Sequence, residues 1–368
     1  MPPPPQLPAF ASDRLAVIAG ARRALLQEGA PALPVPIEPW IERSWRRCLA
    51  AGHRPEQTVA FDLVTAPAAR RAMDDSSALV AAARPVMQTL GRALAQTRYF
   101  AILTNAQGTV VHVDGPIDRS DRRAALITRI GVDLSEAAVG TTAIGAALIE
   151  RQTVWLHRGE HFFADTSVYS CAGAPLFGPA GDCVGMLDLT GIDAPERPEL
   201  RHLVTQSARA IENALLMRLP NALLVRLNWP GHPPGDDSDG LVGLDTDGWI
   251  TGSNTPARQM MPALGGSVQT RVHASEVFAM PYQMLFDAAG STGDPIELPL
   301  WSGLRLQARS LTRSAENPKS AMPGRARLKD MEIAMIRKAV TEAKGNIQLA
   351  ARNLGISRAT IYRKLARH

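Results

Sequence analysis

The segment Gly345–Arg367, GNIQLAARNLGISRATIYRKLAR, leaves little choice of fold. Ile347, Ala350, Ala351 and Leu354 recur at helical spacing and form one apolar face. Gly345-Asn346 can end a preceding helix and cap the next one. Gly355 follows the small Ala351 by four positions and can supply a left-handed turn residue. Ser357 is a good N-cap for a further helix, whose Ile361 and Leu365 point back to the core. Two short helices crossing closely at a tight turn are a helix-turn-helix. Its outer face is left with Arg358, Thr360, Tyr362, Arg363 and Lys364.

Charge gives that face a partner. The last 26 residues hold six Lys/Arg and no Asp or Glu. Residues 319–368 hold 12 basic and 3 acidic side chains, and all five lysines, while the remaining 318 hold 28 basic and 32 acidic. The overall charge of +5 is thus a local property of one end. Such a patch suits duplex phosphates through counterion release. The candidate DNA contacts are Asn346, Ser357, Arg358, Thr360, Tyr362, Arg363 and Lys364. Arg358, one residue past its cap, can reach a guanine edge or a phosphate. Thr360, Arg363 and Lys364 suit phosphates, and Asn346 caps a helix whose first amides can face one. The plainer alternative is an exposed helical hairpin with a basic face.

A chain of 368 residues suggests two or three domains. No apolar run is long enough to span a bilayer, and Met1-Pro2-Pro3-Pro4-Pro5 lacks the parts of a signal peptide. Cys48, Cys171 and Cys183 cannot all pair and form no CxxC, which suits a reducing cytoplasm.

Residues 1–12 read as a disordered Pro-rich tail and 13–84 as a helical segment, with helices at Asp13–Glu28, Trp40–Ala51 and from about Ser76 to Thr97. The second helix has a basic face of Arg43, Arg46 and Arg47, either a further DNA patch or a solvated surface. Three strand–turn–strand units follow, with turn glycines Gly108, Gly181 and Gly248. They predict two antiparallel-sheet domains, at 85–219 and 240–311, joined by a linker at 220–239. Residues 312–326 read as a second linker before the helix-turn-helix domain at 327–368, which opens on an amphipathic helix at Leu328–Ala343. Pro198–Leu219 reads as a long helix that either pairs with its symmetry mate or packs on its own sheet. The fold class expected is α+β multidomain with an all-α C-terminus.

LKDMEIAMIRKAVTEAKGNIQLAARNLGISRATIYRKLAR resembles the Fis-type C-terminal domain of bacterial enhancer-binding regulators. Residues 99–218, with GVDLSEAAVGTTAIGAALIE and GEHFFADTSVYSCAGAPLFGPAGDCVGMLDLTG, resemble the GAF sensor of AcoR-like activators of acetoin and glycerol catabolism. IERSWRRCLAAGHRPE is similar to the segment those proteins carry before the sensor, and LVGLDTDGWITGSNTPARQMM to the start of a PAS-like domain. The resemblance implies a DNA-binding transcriptional regulator that senses a small molecule, a homodimer by expectation, with RNA polymerase or a full-length ATPase-containing relative as further partners and no membrane. Such activators carry an AAA+ ATPase between sensor and DNA-binding domain. This sequence contains no Gly-Lys dipeptide and hence no GxxxxGK[ST] phosphate loop, so no ATPase activity is expected.

The family's GTNAIG reads Gly140-Thr141-Thr142-Ala143-Ile144-Gly145 here, with a hydroxyl in place of an amide. The candidate ligand-binding residues are Thr141, Thr142, Trp155, His157, His161, Phe162, Tyr169 and Cys171. Alternatively, Trp155 and Phe162 fill the core. The spacing of His157, His161 and Cys171 matches no standard zinc arrangement, so no metal or cofactor is expected. Two rival readings remain: a GAF-fold thiol reductase using Cys171 and Cys183, and a DNA-bending nucleoid protein.

Overall fold

A computed structural model describes residues 9–31, 37–61, 64–265, 271–290, 295–312 and the three positions 347, 348 and 351. The chain divides into two units, residues 1–313 and 314–368. In the second unit only Ile347, Gln348 and Ala351 are described, all helical, with Ala351 buried. The helix expected at Leu328–Ala343 and the DNA candidates Asn346, Ser357, Arg358, Thr360, Tyr362, Arg363 and Lys364 lie outside the described residues.

The first unit begins with α1, Ala9–Arg22, which runs on through a π-helical turn at Arg23–Gln27. Next come α2, Pro39–Ala50, α3, Ala66–Asp75, and α4, Ser77–Leu94. Five antiparallel strands form the first sheet: β1 Tyr99–Asn105, β2 Val110–Asp114, β3 Val154–His157, β4 Tyr169–Phe177 and β5 Cys183–Ile192. Their spatial order is β2-β1-β5-β4-β3. Between β2 and β3 lie the short helices α5 Arg122–Ile127, α6 Glu136–Val139 and α7 Ala143–Glu150. Residues 135–151 do not form one continuous helix. The chain turns at Gly140 (φ +67°), where a Cβ would stand 2.7 Å from the Phe163 ring.

Both faces of this sheet are covered, so its central strands are buried almost throughout rather than alternating. Tyr99, Ala101, Leu103, Leu187 and Leu189 pack under α4 and under α8, Leu200–Met217. Phe100 and Ile102 point the other way and share a core with Leu25, Trp40, Ile41 and Trp45 of the N-terminal helices. The segment expected as a helical region therefore contributes Leu25, Trp40, Ile41 and Trp45 to the sensor's own core. The apolar side of α8 (Leu200, Val204, Ala208, Ile211, Leu216) is buried on its own sheet, which is one of the two arrangements the sequence allowed.

A second antiparallel sheet contains β6 Leu223–Asn228, β7 Gly240–Leu244, β8 Ile250–Ser253, β9 Ile296–Pro299 and β10 Arg305–Thr312. Its order is β8-β7-β6-β10-β9. Helices α9 Thr255–Met260, α10 Ala274–Val277 and α11 Gln283–Gly290 lie between β8 and β9. Within residues 220–239, where the sequence predicts a linker, β6 is the middle strand of this sheet, paired with β7 on one side and β10 on the other. The first sheet is centred on its last strand and the second on its first. The three glycines singled out as turn residues, Gly108, Gly181 and Gly248, all adopt φ between +85° and +89°, a region that L side chains resist.

The two sheets are joined at the C-terminal end of α8. Glu212 accepts the Phe177 N–H at 3.0 Å and the Thr255 N–H at 3.2 Å, so one carboxylate holds the end of β4 and the first turn of α9. Burial raises its pKa. Asn254 donates to Asn213 at 2.8 Å, and the Ser253 N–H donates to the Pro179 carbonyl at 2.9 Å.

Candidate functional site

Strand register sets out the floor of a cavity on the Phe100/Ile102 face of the first sheet. One row across the sheet is Ile102, Asp188 and Gly173, and the next is Phe100, Thr190 and Cys171. Gly173 has to be glycine here. A Cβ would lie 3.0 Å from the Ala143 carbonyl and 2.6 Å from Met186, so the missing side chain lets the start of α7 settle onto the strands. Ile102, Ile127, Leu134, Val139, Ala143 and Ile144 supply the apolar wall, with Phe61 from the N-terminal segment. Thr142, His161, Thr166, Tyr169, Cys171, Asp188 and Thr190 supply the polar groups. The cavity measures about 30 Å³, room for about two water-sized occupants.

Its polar groups are wired inward. The Thr190 hydroxyl donates to Asp188 Oδ2, and Cys171 Sγ lies 3.5 Å from Thr190 Oγ1. Tyr169 donates to the Arg123 carbonyl at 3.3 Å, and Thr166 to the Phe163 carbonyl at 2.9 Å. Thr142 caps α7, accepting the Gly145 N–H at 3.2 Å. His161 Nδ1 lies 2.9 Å from the Arg158 carbonyl. Two buried polar atoms lining the cavity, Asp188 Oδ1 and His161 Nε2, have no hydrogen-bond partner among the described residues. Desolvation pushes the Asp188 carboxyl up to about 7 and the His161 imidazole down to about 4. The Cys171 thiol is driven well above its ordinary range by the same cause, with the Asp188 charge adding to it.

The N-terminal helices hold the loop that carries His161. Arg22 donates to the carbonyls of Gly159 at 2.8 Å, His161 at 2.5 Å and Phe162 at 2.9 Å. The Trp45 indole N–H donates to the Glu160 carbonyl at 2.9 Å, and Arg14 pairs with the buried Glu160 carboxylate at 2.9 Å. The basic face of α2 is largely taken up by carboxylates. Arg47 reaches Glu136 at 2.6 Å and Glu150 at 2.8 Å, Arg43 pairs with Glu150, and Arg46 pairs with Glu42 at 2.6 Å.

Of the eight ligand candidates, Thr142, His161, Tyr169 and Cys171 line this cavity. The other four stand elsewhere. Thr141 turns away to Ser44 Oγ at 2.7 Å and Cys48 Sγ at 3.5 Å. His157 bonds Ser170 at 2.8 Å and stacks on Trp155 at 6.4 Å. Trp155 borders a separate open cleft with Arg14, Glu160 and Arg201. Phe162 is fully buried in an edge-on cluster with Phe163 and His53. Asp188 and Thr190 were missed because they sit within an apolar strand, GMLDLTG, where periodicity does not mark them. A lone Asp in such a strand was the available signal. Cys171 pairs across from Thr190 and Cys183 from Phe177, at opposite ends of one hairpin, so the two thiols do not meet. Among the described residues no group of three His, Cys, Asp or Glu side chains could hold a metal ion. No helix among them is long and apolar enough to cross a membrane.

The sequence matches the GAF domain over residues 78–215 and the bacterial regulatory protein, Fis family, over residues 327–368. The chain thus carries a GAF domain and a Fis-type helix-turn-helix domain within a mixed α+β architecture. It is homologous to bacterial proteins named as regulators of acetoin catabolism. It is 31% identical over 258 residues to the acetoin catabolism regulatory protein of Cupriavidus necator, covering 67% of this chain and 37% of that protein. It is 26% identical over 223 residues to AcoR, the acetoin dehydrogenase operon transcriptional activator of Bacillus subtilis, covering 60% of this chain and 36% of that one. The matched stretch is thus just over a third of the length of these relatives. Among solved structures, the Escherichia coli DhaR(N)–DhaL complex is similar, with 14% identity, 75% of this chain and 100% of that chain covered, and a TM-score of 0.47.

Proposed function

We propose that the chain is a DNA-binding transcriptional regulator whose GAF domain senses a small molecule. The observation that carries this reading is that the Fis-family match coincides with the one strongly basic stretch of the sequence. The rest of the molecule is mildly acidic and holds a buried cavity with polar groups. Arg358 and Arg363 contact duplex DNA, with Thr360, Tyr362 and Lys364 as further contacts and the helix caps Asn346 and Ser357 presenting amides to phosphates. The effector enters the cavity bordered by Thr142, His161, Tyr169 and Cys171, and its differential affinity for two states of the domain shifts the DNA-binding end. The second sheet domain is PAS-like: β6 and the strand–Gly turn–strand unit β7–β8 precede helices and two further strands.

With no Gly-Lys dipeptide in the chain, ATP-driven remodelling is not part of this reading. Regulation proceeds by occupying DNA as a homodimer, by touching RNA polymerase, or by pairing with an ATPase-containing relative. The test is a gel-shift titration of the full chain against genomic fragments at several salt concentrations. Binding that weakens steeply with salt, and that changes on adding an effector, supports the reading; salt-independent binding sinks it.

A further inference from the structure

A second cleft lies away from the sensor cavity, between α8, α9 and the loop at 229–239 that follows β6. It measures about 250 Å³, room for a molecule of on the order of ten non-hydrogen atoms. Among the described residues lining it, only Arg209 is charged. Arg209 is half-buried on α8, and its guanidinium makes no hydrogen bond or ion pair with any described residue. Arg226 nearby shows the contrast: it donates to the Asp236 carbonyl at 2.9 Å and pairs with Asp239 at 3.3 Å.

The loop that walls the cleft is held from within. Asp239 is fully buried and accepts from Asn228 at 3.1 Å, from the Gly235 N–H at 2.7 Å and from the Asp236 N–H at 3.1 Å. Asn213 of α8 donates to the Asp237 carbonyl at 3.2 Å. Trp229, 42% exposed, stands at the head of the loop, its main-chain N–H donating to the Asn228 side-chain oxygen at 2.8 Å. The Ser238 hydroxyl is spent on Asp236. None of the loop's aspartates lines the cleft. What remains free is donor-rich: the Arg209 fork, the Trp229 indole N–H and the Gln259 amide. Trp229, Pro256 and Met260 supply the apolar side.

We propose that this cleft binds a small organic carboxylate with an apolar body, its carboxylate on Arg209 and its body against Trp229, Pro256 and Met260. The site goes beyond the sensory reading of the GAF domain and does not depend on it. A guanidinium fork matches a carboxylate with two parallel hydrogen bonds, and a half-buried charge is screened less than one on open surface. A neutral amide of the same shape forfeits the charge. Inorganic phosphate keeps the charge and forfeits the apolar contacts. An ammonium group meets a like charge.

The test follows the indole N–H resonances of the full chain, which has six tryptophans, during titration with benzoate, hexanoate, benzamide and inorganic phosphate. Trp229→Phe identifies the Trp229 signal. Benzoate and hexanoate should shift that signal saturably, at least tenfold more tightly than benzamide or phosphate. Arg209→Gln should weaken benzoate binding at least tenfold. Should that variant fail to fold, the comparison of benzoate with benzamide on the unmodified chain decides. Benzamide or phosphate binding as tightly as benzoate overturns the proposal. So does benzoate binding unchanged in Arg209→Gln, or no saturable shift with benzoate. The DNA-binding reading is decided by the gel shift, so the two fail separately.

Discussion

Arg22 donates to the main-chain carbonyl of His161 at 2.5 Å, so a side chain from the first helix fixes the residue that borders the sensor cavity. The same guanidinium reaches the carbonyls of Gly159 and Phe162 and lies 5.7 Å from the Trp45 ring. Its burial disfavours the charged form, and these acceptors offset that penalty.

Arg22→Met keeps much of the apolar stem and removes every donor. Three carbonyls then lose their partner, and the chain should be destabilised by about 2 kcal/mol. Urea denaturation followed by tryptophan fluorescence measures this; a loss under about 0.5 kcal/mol would mean the contacts are not formed.

Trp45→Ala empties the fully buried centre of the core shared by the N-terminal helices and the first sheet. A cost of about 3–5 kcal/mol is expected in the same denaturation experiment. A near-neutral result would indicate that α2 does not dock on the GAF sheet.

Asp188→Asn should change how stability depends on pH. In the native protein the carboxyl titrates at about 7, well above its ordinary value near 4 when unfolded. Between these two values the native state holds a proton that the unfolded state has lost, so Asp188 makes stability fall as pH rises. Relative to wild type, the asparagine variant should therefore gain on the order of 1 kcal/mol per pH unit between about pH 4 and 7, with no further change above. A constant offset between the two proteins from pH 4 to 8 would show that Asp188 is not perturbed.

Glu212→Gln replaces one of two accepting oxygens by an amide nitrogen, leaving either the Phe177 or the Thr255 N–H unmet. The loss should be about 1–3 kcal/mol, and it should appear as a separation of the melting of the two sheet domains in calorimetry. A single unshifted transition would count against the joint.

Alkylation of the oxidised protein should find three free thiols, with Cys171 the slowest to react because it is buried and its thiolate disfavoured. A Cys171–Cys183 disulfide, or thioredoxin-linked turnover lost in Cys171→Ser, would restore the reductase alternative.

The hairpins were legible because two short apolar, β-rich runs flanking a turn glycine are a local signal, and Gly108, Gly181 and Gly248 all take the backbone conformation that only glycine adopts freely. β6 was not, because LLVRLN follows an apolar helix with only a short break at Pro220 and Asn221, and its alternation of buried and half-buried side chains appears only once neighbours flank it. Thr142, His161, Tyr169 and Cys171 were found from the motif around them. Asp188 and Thr190 were not, because their meaning depends on which face of β5 meets the cavity.

By itself the sequence determined the order of the pieces, the basic helix-turn-helix pattern at one end and the sensor motif before it. These rest on spacing along the chain and on charge, which do not depend on distant contacts. Only the tertiary structure decided that the N-terminal helices complete the sensor core, that Arg43 and Arg47 are engaged with Glu150 and Glu136, and that Asp188 and His161 share one cavity. Those outcomes depend on which residues meet from distant parts of the chain or across a sheet, and on which of them water no longer reaches.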